Sequence, residues 1–123
     1  MERTRKILAV DDNPSIRRLI RLTLEGPYEV LEAENGVTAM ALVREHLPDL
    51  VILDIMMPGT MDGLQVLEAI KADPSLHKVL VVMVTARGQA NDYDIGMQKG
   101  ANAYIVKPFS PLQLMDWVRT HLE

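Results

Sequence analysis

"DLVILDIMMPG" spans residues 49–59, and its reading decides the fold. Four apolar residues, Leu50 to Leu53, run without interruption into a single carboxylate, Asp54. A strand with one wet face alternates apolar and polar residues. An unbroken apolar run instead suits a strand covered on both faces, as in a parallel sheet flanked by helices. Asp54 then stands at the end of that strand, followed by two methionines and Pro58. Such a carboxylate is either a turn residue or a charged group held at a strand tip for chemistry, and the rest of the chain decides which.

The same pattern recurs on both sides. "KILAV" (6–10) and "VLVVMVT" (79–85) are further apolar runs, "NAYIVK" (102–107) is a shorter one, and "YEVLEA" (28–33) partly alternates, as an edge strand does. Helical signals fill the intervals. Asn13 is an N-cap with Pro14 at the first helical position, Ile16, Leu19, Ile20 and Leu24 follow at helical spacing, and Gly26 ends the helix. A second helix over 37–47 buries Ala39, Met40, Leu42 and Val43 and is closed by Pro48. A third over 64–72 offers Leu64, Val66, Leu67 and Ile70. Residues 86–100 are polar and only weakly periodic, and carry the fourth. Ser110 and Pro111 open the fifth, which offers Leu112, Met115, Trp117 and Val118 for burial, some of which must face outward.

Five strands alternating with helices through short connections imply an α/β domain, a parallel sheet with helices on both faces. A length of 123 residues suits one domain over 1–123, with a core that needs no staples. Zero cysteines exclude disulfides and thiolate metal sites. A net charge of -4 and 4% aromatic residues argue against nucleic-acid binding through bulk charge or base stacking. No secretory leader is visible and no apolar run is long enough to span a bilayer, so a cytoplasmic protein without membrane contact is expected.

In open parallel sheets, ligands bind outside the carboxyl ends of the strands. The first strand ends in Asp11 and Asp12, the third in Asp54, the fourth in Thr85 and the fifth in Lys107. Parallel strands bring all five to one end of the sheet. Three carboxylates so placed repel and raise one another's pKa unless a cation neutralises them, and Mg²⁺ prefers a few carboxylates with other oxygens and water. A hydroxyl and a lysine beside them suit the oxygens of a transferring phosphoryl group.

The ordered set "VDD", "LDIMMPG" with a following "DG", "VTA" and "YIVKPF" resembles the signatures of bacterial response-regulator receiver domains, over essentially the whole chain from Lys6 to Leu122. The resemblance implies a flavodoxin-like, doubly wound five-stranded parallel sheet of order 2-1-3-4-5 with five helices. It implies that Asp54 accepts a phosphoryl group from the phosphohistidine of a partner histidine kinase or histidine phosphotransfer protein. Asp11 and Asp12 match metal ligands, and Met56 would add its backbone carbonyl. The ion is expected to be Mg²⁺, with Mn²⁺ as its substitute. Thr85 and Lys107 would bind phosphoryl oxygens, the Lys107–Pro108 bond is expected to be cis, and Tyr104 matches the aromatic that turns inward with Thr85. The expected molecule is thus a switch that catalyses only its own phosphorylation and dephosphorylation. It would be a monomer or a weak phosphorylation-dependent dimer, with its output domain or protein unidentified.

Plainer readings compete. Asp11 and Asp12 could serve only a helix N-terminus, Thr85 could be a cap, and Tyr104 could be a half-buried strand aromatic. The convergence of five groups favours the site, with Asp54 placed at the sheet's edge rather than deep in the core. Arg17, Arg18 and Arg21 read most simply as a solvated helix face, with partner docking as the alternative. A flavodoxin-like cofactor binder would need a phosphate loop where this chain has acids. A degenerate receiver that only binds a partner would lack metal binding. "GTM" (59–61) is one residue longer than the commonest family spacing, and Asn102–Ala103 replaces an acidic pair that serves dimers in DNA-binding relatives. Met56 and Arg87, two residues beyond Asp54 and Thr85, flank the path of an attacking water and suggest modest self-hydrolysis.

Overall fold

A computed structural model describes residues 4–57, 59–86 and 99–122, with 85 and 86 described through their backbone. The chain runs β1 (Arg5–Val10), α1 (Pro14–Leu24), β2 (Tyr28–Ala33), α2 (Gly36–His46), β3 (Leu50–Asp54), α3 (Gly63–Ala72), a 3₁₀ turn (Pro74–Leu76), β4 (Leu80–Ala86), β5 (Ala103–Lys107) and α4 (Pro111–Leu122). All five strands are parallel, in the order β2-β1-β3-β4-β5. The partly alternating strand β2 is an edge, and the apolar run of β3 is the centre. The helix expected within 86–100 falls mostly on residues 87–98, outside the described residues, so the C-terminal helix is here α4.

Alternation of side chains along each strand divides the core in two. Leu8, Val10, Val51, Leu53, Val81 and Met83 pack against Ala39, Met40 and Val43 of α2 and Val66, Leu67 and Ile70 of α3. Ile7, Ala9, Leu50, Ile52, Val82, Val84 and Ile105 pack against Ile20 and Leu24 of α1 and Leu114, Val118 and Leu122 of α4. The four residues Leu50–Leu53 are each at most 1% exposed, as an unbroken apolar run requires.

Local chemistry sets the helix starts. Asn13 caps α1 by accepting from Ser15 N–H at 2.9 Å, with Pro14 in the first turn. Asn35 caps α2 by accepting from Thr38 N–H at 2.8 Å, and the helix begins at Gly36, one residue before the expected start. Asp62 and Gln65 form a reciprocal capping box that starts α3 at Gly63. Ser110 Oγ accepts from Gln113 N–H at 3.3 Å at the start of α4. That start places Leu114, Val118 and Leu122 on the sheet at four-residue steps, while Leu112 is 77% exposed and Met115 and Trp117 only partly covered. Leu114 and Leu122, not singled out by periodicity, are core residues that the expected set lacked. Leu42 is likewise only partly buried against the α2–α3 core.

Candidate functional site

Strand register assembles the site. Ile7 pairs with Leu50 and Val10 with Leu53, so one step further Asp11 stands beside Asp54. Asp11 follows Ile7 and Ala9, Asp54 follows Leu50 and Ile52, and Lys107 follows Ala103 and Ile105, all on the α1–α4 face. Two-residue periodicity therefore turns these three side chains to one side of the sheet just where its hydrophobic cover ends.

Their contacts follow from that placement. Lys107 Nζ lies 2.8 Å from Asp11 Oδ2 and 3.5 Å from Asp54 Oδ2. One carboxylate oxygen from each of Asp11, Asp12 and Asp54 lies within 4.8 Å of the others. Asp12 is exposed. Asp11 and Asp54, at 2% and 5% exposure, are the buried charged residues among those described. Asp54 is thus at the strand tip as expected, but it is covered rather than open at an edge.

Burial first, and the nearby charge of Asp11 second, push the Asp54 carboxyl up to about 6, against the opposing pull of Lys107 and the Met56 N–H. Burial works against the Lys107 ammonium, yet its bond to Asp11 and the charge of Asp54 hold it above the ordinary lysine value. One ammonium among three carboxylates leaves excess negative charge at a partly buried cluster. An all-oxygen donor set of this kind fits a hard divalent cation. The acidic cluster could therefore bind a metal.

The surrounding loop is held close to Asp54. Gly63 N–H donates to Ile55 O at 3.0 Å. A Cβ on Gly63 would lie 2.1 Å from the Asp54 carbonyl oxygen, so only glycine lets α3 begin against the end of β3. A Cβ on Gly36 would similarly meet Met61 O at 2.4 Å. The "GTM" segment therefore packs on the start of α2. With residues 35–38 it walls a groove of ≈ 640 Å³ beside Asp12. Met56 donates its N–H to Asp54 Oδ1 at 3.4 Å, and its side chain is 61% exposed.

Tyr104 pairs in register with Met83 and is half-buried against the α2–α3 core. Thr85 lies in β4 opposite Val106, one residue past the Val84 that pairs with Asp54. Arg87 lies outside the described residues. The Lys107–Pro108 peptide is cis. Asn102 Oδ1 accepts from Val81 N–H at 2.9 Å while Asn102 N–H donates to Val81 O at 2.8 Å, so it ties β5 to β4.

The arginines of α1 depart from the expected solvated face. Arg17 Nε donates to Glu32 Oε1 at 3.0 Å, and Arg17 Nη1 donates to the Asp11 carbonyl at 2.7 Å. Arg21 Nε donates to Glu32 Oε2 at 2.7 Å. The Arg21 bond, aided by Arg17, holds Glu32 below the usual carboxylate range despite partial burial. Only Arg18 of the three is exposed.

Comparison with known proteins places this geometry. The sequence model of the response regulator receiver domain matches residues 7–119. The phosphate regulon transcriptional regulatory protein PhoB of Pseudomonas aeruginosa is 42% identical over 110 residues, covering 89% of this chain and 48% of that protein. The chain spans about half the length of the curated relatives it matches. Chemotaxis protein CheY4 of Vibrio cholerae superposes with a TM-score of 0.87 at 31% identity, covering 96% of this chain and 98% of that one. The phosphorylated cyanobacterial phytochrome response regulator RcpA gives a TM-score of 0.81 at 34% identity, covering 96% and 91%. Among the described residues no helix is long and apolar enough to cross a membrane.

Proposed function

Because the chain belongs to the response regulator receiver domain family, the phosphorylation-activated switches of two-component signalling, we propose that Asp54 is its phosphoacceptor. The observation that carries this reading is the buried Asp54 carboxylate sharing one lysine with Asp11 beside the exposed Asp12. In the reaction, an Asp54 Oδ attacks phosphorus. The bond from phosphorus to the donor histidine nitrogen breaks, the nitrogen keeps the electron pair, and an acyl phosphate forms on Asp54.

Asp11, Asp12, Asp54 and the Met56 carbonyl would hold Mg²⁺, with Mn²⁺ able to replace it. When bound, that ion neutralises charge on the transferring phosphoryl oxygens. Lys107, already charged and within reach of both buried carboxylates, supplies a counter-charge to a phosphoryl oxygen once Asp54 turns toward its donor. Thr85 supplies a hydroxyl to a second oxygen. Its displacement lets Tyr104 turn inward, which reshapes the β4–β5 face for an output partner.

Receiver domains interact with histidine kinases, and a histidine kinase or histidine phosphotransfer protein is the proposed donor here. Residues 1–123 form a single receiver in this reading, working in the cytoplasm as a monomer or a weak phosphorylation-dependent dimer. It acts on no external metabolite and contacts neither nucleic acid nor membrane itself. Its catalysis is confined to adding and removing its own phosphate. The test is labelling by a small acyl-phosphate donor with Mg²⁺. The native chain takes up label and Asp54→Asn does not, whereas undiminished labelling of Asp54→Asn overturns the assignment.

A further inference from the structure

We propose that Arg17 is a positioning residue of the metal site, acting through the Asp11–Asp12 peptide; the proposal rests on the receiver reading of the acidic cluster. Asp11 is pinned at its backbone N–H by Ala33 O at 3.1 Å and at Oδ1 by Asn13 N–H at 2.9 Å. Its carbonyl, which lies in the plane of the peptide leading to Asp12, accepts from Arg17 Nη1 at 2.7 Å. Asp12 is exposed, so this peptide, more than packing, sets the backbone from which its carboxylate reaches the cluster.

The guanidinium is itself held in place. Glu32 accepts from Arg17 at one carboxylate oxygen and from Arg21 at the other, at 3.0 and 2.7 Å. Arg21 also reaches Glu25 at 3.1 Å, which ties the cluster to the end of α1. Arg17 therefore clamps the β1–α1 turn to β2, using the fork of donors that only a guanidinium offers. Side chains that orient metal ligands in this indirect way commonly change metal affinity when removed.

Charge and position predict opposite signs, which makes the role measurable. Arg17 is a cation close to a site for a cation, so deleting it should tighten metal binding if charge alone matters. If Arg17 positions Asp12, deletion should weaken binding. The probe is Mn²⁺, titrated into the unphosphorylated 123-residue chain and read as free ion by electron paramagnetic resonance. Asp12→Asn serves as the reference variant, and circular dichroism checks the fold of each. Arg17→Met, which keeps the stem, is expected to bind Mn²⁺ about tenfold more weakly. Arg17→Lys, which keeps the charge but loses the fork, is expected to lose a smaller factor of about threefold.

Unchanged or tighter binding by Arg17→Met, beside a clear loss in Asp12→Asn, overturns the clamp and leaves the metal site standing. Undiminished binding by Asp12→Asn overturns the metal reading itself. Should Arg17→Met fail to fold, Arg17→Lys decides alone: its charge is unchanged, so weaker binding supports positioning and native affinity overturns it.

Discussion

Lys107 Nζ sits 2.8 Å from Asp11 Oδ2, beside the second buried carboxylate, Asp54. The lysine is nearer to Asp11 than to Asp54, at 3.5 Å. Asp54 is thus the farther of the two carboxylates from the ammonium, and burial first, with the Asp11 charge second, keeps its pKa raised.

Replacing Lys107 with methionine removes the one opposing ammonium that reaches both buried acids. The Asp54 pKa is then expected to climb beyond about 6, its value with the lysine in place. Carboxyl carbon chemical shifts followed through a pH titration measure it; an Asp54 midpoint unmoved or lowered in Lys107→Met contradicts the pairing.

Stability should carry the same signature. The folded chain binds the Asp54 proton more tightly than the unfolded chain does, with a pKa of about 6 against 3.8. Metal-free stability therefore falls as pH rises from about 4 to 6, then levels off, with a penalty of at most ~3 kcal/mol at neutral pH. Asp54→Asn removes that penalty. Urea unfolding without divalent ions should find Asp54→Asn more stable than the native chain at pH 7.5, with the difference shrinking below pH 4.

Mg²⁺ acts on the ionised carboxylates, so its stabilisation should depend on pH in the opposite sense. Millimolar Mg²⁺ is expected to raise Tm clearly at pH 7.5, less at pH 5.5, and not at all in Asp12→Asn. An equal rise at both pH values would separate the ion from Asp54.

Much of this was legible in the residues themselves. Leu50–Leu53 marked a strand covered on both faces, and parallel strands put five polar tips at one end. What was not legible depends on partners brought together by folding. Glu32 lies fifteen residues from Arg17, on another element, and nothing in a helix bearing three arginines indicates that two of them converge on one carboxylate. The depth of Asp54 is similar: its 5% exposure comes from neighbours around it, not from its position after an apolar run. Leu114 was missed because the choice of buried face in α4 follows from its docking beside α1 on one face of the sheet.

The lifetime of the phosphate is expected to depend on Met56, whose exposed side chain stands two residues beyond Asp54. Met56→Asn places an amide where a water could be oriented and should speed dephosphorylation several-fold. A chase after removal of the donor measures it, and an unchanged rate contradicts a shielding role.

The central claim is that Asp54, and no other acid of the cluster, carries the phosphate. Borohydride reduction of the chain labelled with an acyl-phosphate donor, followed by peptide mass spectrometry, tests it most directly by converting an aspartyl phosphate to homoserine. Homoserine at position 54 alone is the predicted result. Homoserine at position 11 or 12, or none in a chain that has taken up label, would contradict it.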